Sequence, residues 1–166
     1  MRIENFSQAK ERVDEMGFSV VSQEEKPWGG YFTIDDEDLD LFLSTFFGDS
    51  ATGLTKSGLG LSPKILVVLP GKRLSWQYHD RRAELWSVFQ GPVKIAESGT
   101  DEQPDPRVLN EGDTVNIPVG TRHRLIGSDG LGVVAEIWQH TDPENPSNES
   151  DNHRVSDDFG REGTVS

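Results

Sequence analysis

Apolar and polar positions change rhythm partway along the chain. In the first sixty residues the spacing is helical in two places. Phe6, Ala9, Val13 and Met16 form one stripe, with Ser7 placed to cap it and Gly17 to stop it, which predicts a short amphipathic helix over 7–16. Leu39, Phe42, Leu43 and Phe46 repeat at the same spacing behind the acidic run Asp35, Asp36, Glu37, Asp38 and Asp40, and Gly48 closes them. Acidic residues favour the positive end of a helix dipole, so the run reads as a first turn; metal binding by these carboxylates is the second reading. Between the two helices, 18–21 reads as a short strand and Lys26-Pro27-Trp28-Gly29-Gly30-Tyr31 as a loop bent around a large aromatic. Residues 49–62, with Gly53, Gly58 and Gly60, read as a loop or a cover over an opening.

Beyond residue 62 the pattern becomes that of strands. Apolar-rich or alternating runs occupy 64–69, 73–79, 83–90, 93–97, 107–109, 114–117, 123–126 and 133–138, divided by Gly, Pro and Asp turns such as Pro70-Gly71 and Glu111-Gly112-Asp113. Short strands at this spacing predict an all-β sandwich or barrel rather than βαβ units. From His140 the chain turns polar, although Val155 and Phe159 are placed to pack back. The expected division is an N-terminal helical and loop extension over 1–62, a barrel core over 63–140 and a polar tail over 141–166 belonging to the same domain.

Composition narrows the function. A chain of 166 residues suits one domain, able to bury on the order of two-thirds of the surface its unfolded form exposes. The net charge is −13, from 29 acidic and 16 basic residues, which argues against nucleic acid because phosphate neutralisation needs a basic face. With no cysteine, disulfides and thiolate metal ligation are excluded. The N-terminus has no secretory apolar core, and no apolar run approaches the ~20 residues of a membrane span. A cytoplasmic protein without membrane contact is expected.

The chemistry lies in two spaced patterns. Gly71-x5-Gln77-x-His79-x4-Glu84-x6-Gly91 puts Gln77 and His79 on one face of an extended strand and Glu84 just past a corner. Gly112-x5-Pro118-x-Gly120-x2-His123 adds a second imidazole about forty residues on. An amide oxygen, two imidazoles and a carboxylate make a ligand set for one divalent ion, zinc first, with manganese, iron or nickel as alternatives. The second pattern arises by chance in roughly two of a thousand chains of this composition, a small false-positive risk for a motif.

Together the two patterns resemble the paired motifs of the cupin superfamily, a double-stranded β-helix or jelly-roll barrel. Gln77 stands where most metal cupins carry a histidine, and Gly127 where the second motif often ends in asparagine. The glutamine points to one branch. Leu74-Ser75-x-Gln77-x-His79-x2-Arg82-Ala83-Glu84-x-Trp86 is similar to the C-terminal cupin domain of type II mannose-6-phosphate isomerases. So are Lys26-Pro27-Trp28-Gly29-x-Tyr31, Ile117-Pro118-x-Gly120-x2-His123-Arg124-Leu125 and Asp158-Phe159-Gly160-Arg161. The segment 35–61 is longer than the family leads one to expect, and the nucleotidyltransferase domain often fused to such cupins has no counterpart in this sequence.

This resemblance implies a metal-dependent isomerase of sugar phosphates, mannose 6-phosphate to fructose 6-phosphate first, working by enediol proton transfer. Glu136, inward by strand alternation, is either the base or a partner orienting His123 or another ligand. Arg82 would reach the substrate or a neighbouring carboxylate. Ser75 would meet a sugar hydroxyl and Arg73 the phosphate, with Arg124 and Arg161 as further phosphate candidates. Trp76 and Tyr78 face away from the ligands, suggesting a sheet contact or a homodimer surface. The alternatives are a non-enzymatic sugar-binding or regulatory cupin and an iron-dependent dioxygenase.

Overall fold

The computed structural model describes residues 1–51, 54 and 60–160. Two helices, α1 (Phe6–Glu15) and α2 (Leu39–Phe46), accompany eleven strands among the described residues. The strands are β1 (Val20–Lys26), β2 (Gly29–Ile34), β3 (Leu61–Val68), β4 (Trp76–Tyr78), β5 (Arg82–Gln90), β6 (Val93–Ser98), β7 (Arg107–Leu109), β8 (Thr114–Ile117), β9 (Arg122–Gly127), β10 (Gly132–His140) and β11 (His153–Ser156). They form a six-stranded sheet in the order β1-β2-β3-β10-β5-β8 and a five-stranded sheet in the order β11-β4-β9-β6-β7. The pairings are antiparallel, which makes the jelly-roll barrel expected from the spacing of strands and turns.

The central strands of the larger sheet are apolar on both faces because both faces are covered. Ile65 and Val67 of β3, Leu85 of β5 and Val133, Ala135 and Ile137 of β10 pack outward, in one cluster with Ala9 and Val13 of α1 and Phe42 and Leu43 of α2. Alternate residues Leu66, Val68, Trp86, Val88 and Val134 face the second sheet, with Val93, Ile95, Leu109, Leu125 and Trp28. Two-sided burial explains why 64–69 reads as a nearly continuous apolar run. It also fixes parity: Lys64, Glu84 and Glu136 belong to the barrel side, in step with Leu66, Trp86 and Val134.

Three features of the N-terminal half differ from the sequence expectation. Asn5, not Ser7, caps α1, its side chain accepting from the backbone N–H of Gln8 at 2.8 Å. The loop expected at 26–31 shrinks to the turn Pro27-Trp28 of a β1–β2 hairpin. Gly29 and Gly30 are strand residues, and a Cβ at Gly29 would lie 1.9 Å from the Val67 carbonyl oxygen, so only glycine lets β2 lie against β3 at that point. The acidic run forms a 3-10 turn ahead of α2: Asp35 caps it, accepting from Glu37 N–H at 3.0 Å, while Asp38 accepts from Ser19 N–H at 2.7 Å. Gly53 and Gly58 of the expected cover lie outside the described residues. In the tail, 153–156 pairs with β4 as an edge strand, and Phe159 packs against the barrel cluster. No helix among the described residues is long and apolar enough to cross a membrane.

Candidate metal centre

Three strands converge on one point inside the barrel. His79 follows β4, Glu84 sits early in β5, and His123 lies on β9 directly across from Gln77. All three are at most 2% exposed. The Nε2 atoms of His79 and His123 are 3.2 Å apart, His79 Nε2 is 3.2 Å from Glu84 Oε2, and His123 Nε2 is 3.2 Å from Glu84 Oε1. Donors held at ~2.0–2.2 Å by a tetrahedral or octahedral ion are themselves roughly 3.0–3.4 Å apart, and this triangle has that size.

The tautomers make the argument chemical. His79 Nδ1 is 3.0 Å from the Asp151 carbonyl oxygen, and His123 Nδ1 is 2.9 Å from that of Thr121. A carbonyl oxygen only accepts, so each Nδ1 carries the hydrogen and each neutral ring turns the Nε2 lone pair inward. Arg82 offers an N–H to His79 Nε2 and to Glu84 Oε2, which leaves His123 Nε2 and Glu84 Oε1 facing each other with no proton supplied between them. Glu84 Oε1, fully buried, lacks a well-formed hydrogen bond despite its closeness to His123. A divalent cation satisfies all three at once.

The titration of these groups agrees. Burial opposes ionisation of Glu84, but His79, Arg82 and His123 around it outweigh burial and hold its carboxyl well below the usual range. Burial pushes the His79 imidazole down, toward the neutral form a metal needs. At His123 burial is overcome by the contact with Glu84, which raises the imidazole and makes the proton the competitor of a metal there.

Gln77 lies beside this triangle, its Oε1 accepting from Ser75 Oγ at 2.6 Å. One lone pair remains for an ion, which keeps the amide compatible with a fourth ligand position. Arg82 is buried and tightly held. Its guanidinium stacks 3.6 Å above the Trp138 ring, donates to Glu84 Oε2 at 2.9 Å and to Ser147 Oγ at 2.9 Å, and has Nη2 3.2 Å from His79 Nε2. Glu136 is 4% exposed and accepts an indole N–H on each oxygen, from Trp86 and from Trp138, both at 2.8 Å. Burial first, and the negative charge of Glu84 second, push its carboxyl up to about 7.

Gln77, Arg82, Glu84 and Glu136 line one cavity of about 560 Å³, within the ~300–1,000 Å³ usual for small-molecule sites. Two expected substrate contacts are not in its wall. Arg73 precedes β4, where its side chain is turned onto Asp158 in a bidentate pair at 2.8 and 2.9 Å. Ser75 is fully buried and spends its hydroxyl on Gln77. Arg124 donates to the Leu74 carbonyl and to Gln103, and Arg161 lies outside the described residues. Trp76 and Tyr78 are also taken up within the chain: the Trp76 indole donates to the Asp101 carbonyl, and Tyr78 stacks on His153 with Arg122 over its ring.

Sequence reasoning did not single out the supports: Trp86 and Trp138 on Glu136, and Ser147 and Asp151 behind Arg82 and His79. For the tryptophans a signal existed, because Trp86 and Trp138 share inward parity with Glu84 and Glu136. For 147–151 none did, since the segment is polar throughout.

Comparison with known proteins fits this geometry. The profile of the family described as "Mannose-6-phosphate isomerase C-terminal" matches residues 54–136, half of the chain. A mannose-1-phosphate guanylyltransferase of Salmonella montevideo is 30% identical over 136 residues, which are 82% of this chain and 23% of that protein. The chain thus spans about a quarter of that curated relative. Among solved structures, oxalate decarboxylase from Bacillus subtilis superposes with a TM-score of 0.59 at 12% identity, covering 81% of this chain and 30% of its own. The capsular polysaccharide assembling protein CapF from Staphylococcus aureus gives 0.54 at 14% identity, with 80% and 33% covered. These likenesses establish the cupin fold.

Proposed function

Because the chain belongs to the mannose-6-phosphate isomerase C-terminal family, we propose that it is a metal-dependent aldose–ketose isomerase of a sugar phosphate, with mannose 6-phosphate and fructose 6-phosphate as the first pair. The observation that carries this reading is a cavity whose wall holds both Glu84, one of three converging acceptors, and Glu136, a buried carboxylate pushed above its ordinary range.

His79, Glu84 and His123 would hold the ion, with Gln77 as the fourth candidate; the two-imidazole, one-carboxylate set suits zinc and also accepts manganese, iron or nickel. When bound, the ion supplies a Lewis acid for the charge that develops on the two reacting sugar oxygens. Glu136 takes the proton from C2 of the open-chain aldose and returns it to C1. The hydroxyl proton passes from O2 to O1, so the product is the 2-ketose and no atom is gained or lost. Burial raises this carboxyl above its ordinary range, which makes it a better proton acceptor than an exposed carboxylate. The two indole N–H groups fix its oxygens without consuming every lone pair. Arg82, locked by Trp138, Ser147 and Asn148, orients Glu84 and offers positive charge to a sugar oxygen.

A sugar-binding cupin without turnover is the second reading, favoured by the same two indole bonds, since they leave Glu136 satisfied as a structural group. Zinc-loaded protein mixed with a panel of hexose and pentose phosphates separates the two. The first reading expects interconversion, lost in Glu136→Gln with the metal retained. Binding of the sugars with no conversion of any of them establishes the second.

A further inference from the structure

The same cavity has a more exposed end that the chemistry above does not use. Glu24, Lys26, Tyr31, Lys64, Glu149 and Arg154 line it. Lys64 is the unusual member. It lies on the barrel face of β3, register partner of Glu136 on β10, and is 8% exposed. Its ammonium is 4.1 Å from the centre of the Tyr31 ring, 4.4 Å from that of Trp138 and 2.9 Å from Glu149 Oε1. Withdrawing an ammonium from water is costly, and a buried ion pair returns little net stability, so stability alone does not account for a lysine here.

Glu149 reaches Lys64 from a single 3-10 turn, Glu149–Asp151, and its own side chain is 62% exposed. An anionic oxygen at Lys64 is thus already accommodated, and the acceptor there belongs to a largely exposed side chain. Four of the 16 basic residues of this acidic chain, Lys26, Lys64, Arg82 and Arg154, line this one cavity. Lys26 is paired with Glu24 at 2.9 Å, and a phosphate monoester carries about −1.5 to −2 charges and three acceptor oxygens, more than one carboxylate offers to the cations of this wall.

We propose that Lys64, with Lys26 and Arg154 at the rim, forms a phosphate subsite for a sugar phosphate, and that Glu149 occupies Lys64 until the phosphoryl group replaces it. This inference rests on the sugar-phosphate reading of the cavity. It places the phosphoryl group next to Glu136 in the sheet, so that one ligand engages both ends.

Calorimetry on the zinc-loaded full chain tests it with mannose 6-phosphate, inorganic phosphate and unphosphorylated mannose. Mannose 6-phosphate and inorganic phosphate are expected to compete, and mannose to bind at least tenfold more weakly than its phosphate. Lys64→Gln should weaken both phosphate probes by about tenfold or more, the loss of one charge-assisted contact. Lys64→Arg should recover most of that, and Glu149→Gln should tighten both probes several-fold by removing the competitor. Equal affinity for mannose and mannose 6-phosphate overturns the proposal. So does a Lys64→Gln protein that holds zinc and binds phosphate as before, and so does weaker binding in Glu149→Gln. If Lys64→Gln fails to fold, the wild-type probes and Glu149→Gln decide. The two readings fail separately: phosphate binding without isomerisation removes the activity and keeps the subsite, whereas isomerisation with an unchanged KM in Lys64→Gln removes the subsite alone.

Discussion

Two clusters of nearly the same composition lie within a few residues of each other, and only one has the makings of a metal site. His79, Glu84 and His123 are buried, while Asp80 is exposed in the turn after β4, Asp151 is buried in the 3-10 turn before β11, and His153 opens β11 half-buried. In the first cluster each ring is fixed from behind by a carbonyl, and the acceptors point at one another. In the second the lone pairs are already spent. Asp151 accepts from the backbone N–H groups of Asp80 and Arg81, both at 3.0 Å, and from Ser147 Oγ at 2.6 Å, while His153 pairs with Asp80 at 2.9 Å. Residue types alone do not separate a ligand set from a structural knot; the direction of the unused lone pairs does. The second cluster also serves the first, because the carbonyl of Asp151 is what holds the His79 tautomer.

The sharpest way to break this contrast is to empty each cluster in turn. His79→Ala is expected to abolish bound metal, measured by elemental analysis of purified protein, whereas His153→Gln and Asp80→Asn keep the full metal content. Metal lost equally from both sets would erase the distinction. Asp151→Ala should fall between them. It leaves two part-buried backbone N–H groups without their acceptor, costing at most about 1–3 kcal/mol each. By loosening the segment behind His79 it should also weaken zinc ~10–100-fold, the usual effect of removing a group that orients a ligand. Competition with a chelator reads that change.

Protons sharpen the comparison further. Metal affinity should fall as pH drops, because His123, raised by Glu84, takes a proton in place of the ion; His153→Gln should leave that dependence unmoved. In metal-free protein, carbon NMR should show the Glu136 carboxyl titrating near 7. Zinc loading should lower that midpoint, since the ion cancels the repulsion from Glu84 that helps raise it. The smallest effect is expected at Arg73. Its partly exposed pair with Asp158 contributes ~0–1 kcal/mol, so Arg73→Ala should change thermal stability slightly and KM for a sugar phosphate not at all.

The cluster of His79, Glu84 and His123 was legible in the sequence because its spacing is dictated by covalent geometry. Alternation puts Gln77 and His79 on one face, and turn lengths set by glycine and proline bring Glu84 and His123 to the same depth. The barrel was legible for a similar reason, through strand length and turn residues. The anchors were not. Lys64 looks like the polar start of a strand until β10 places Glu136 beside it, and 147–151 carries no periodicity from which to read that Ser147 and Asp151 fold back onto Arg82 and His79. Parity put Ser75 on the side of Gln77, where the structure has its hydroxyl bonded to that amide, but the regular strand begins only at Trp76, and Arg73 ahead of it turns onto Asp158. In the N-terminal half, the charged face of β1 concealed a hairpin whose inner strand, β2, is mostly buried.

The central claim is that Glu136 moves a proton on a sugar phosphate held beside a metal at His79, Glu84 and His123. Incubating zinc-loaded protein with mannose 6-phosphate in D₂O and following the sugar by proton NMR tests it directly. Deuterium should appear at C1 of fructose 6-phosphate and at C2 of recovered mannose 6-phosphate, and neither in Glu136→Gln protein with full zinc. Turnover and exchange undiminished in Glu136→Gln, or none in the wild type with metal and substrate both bound, would contradict the account.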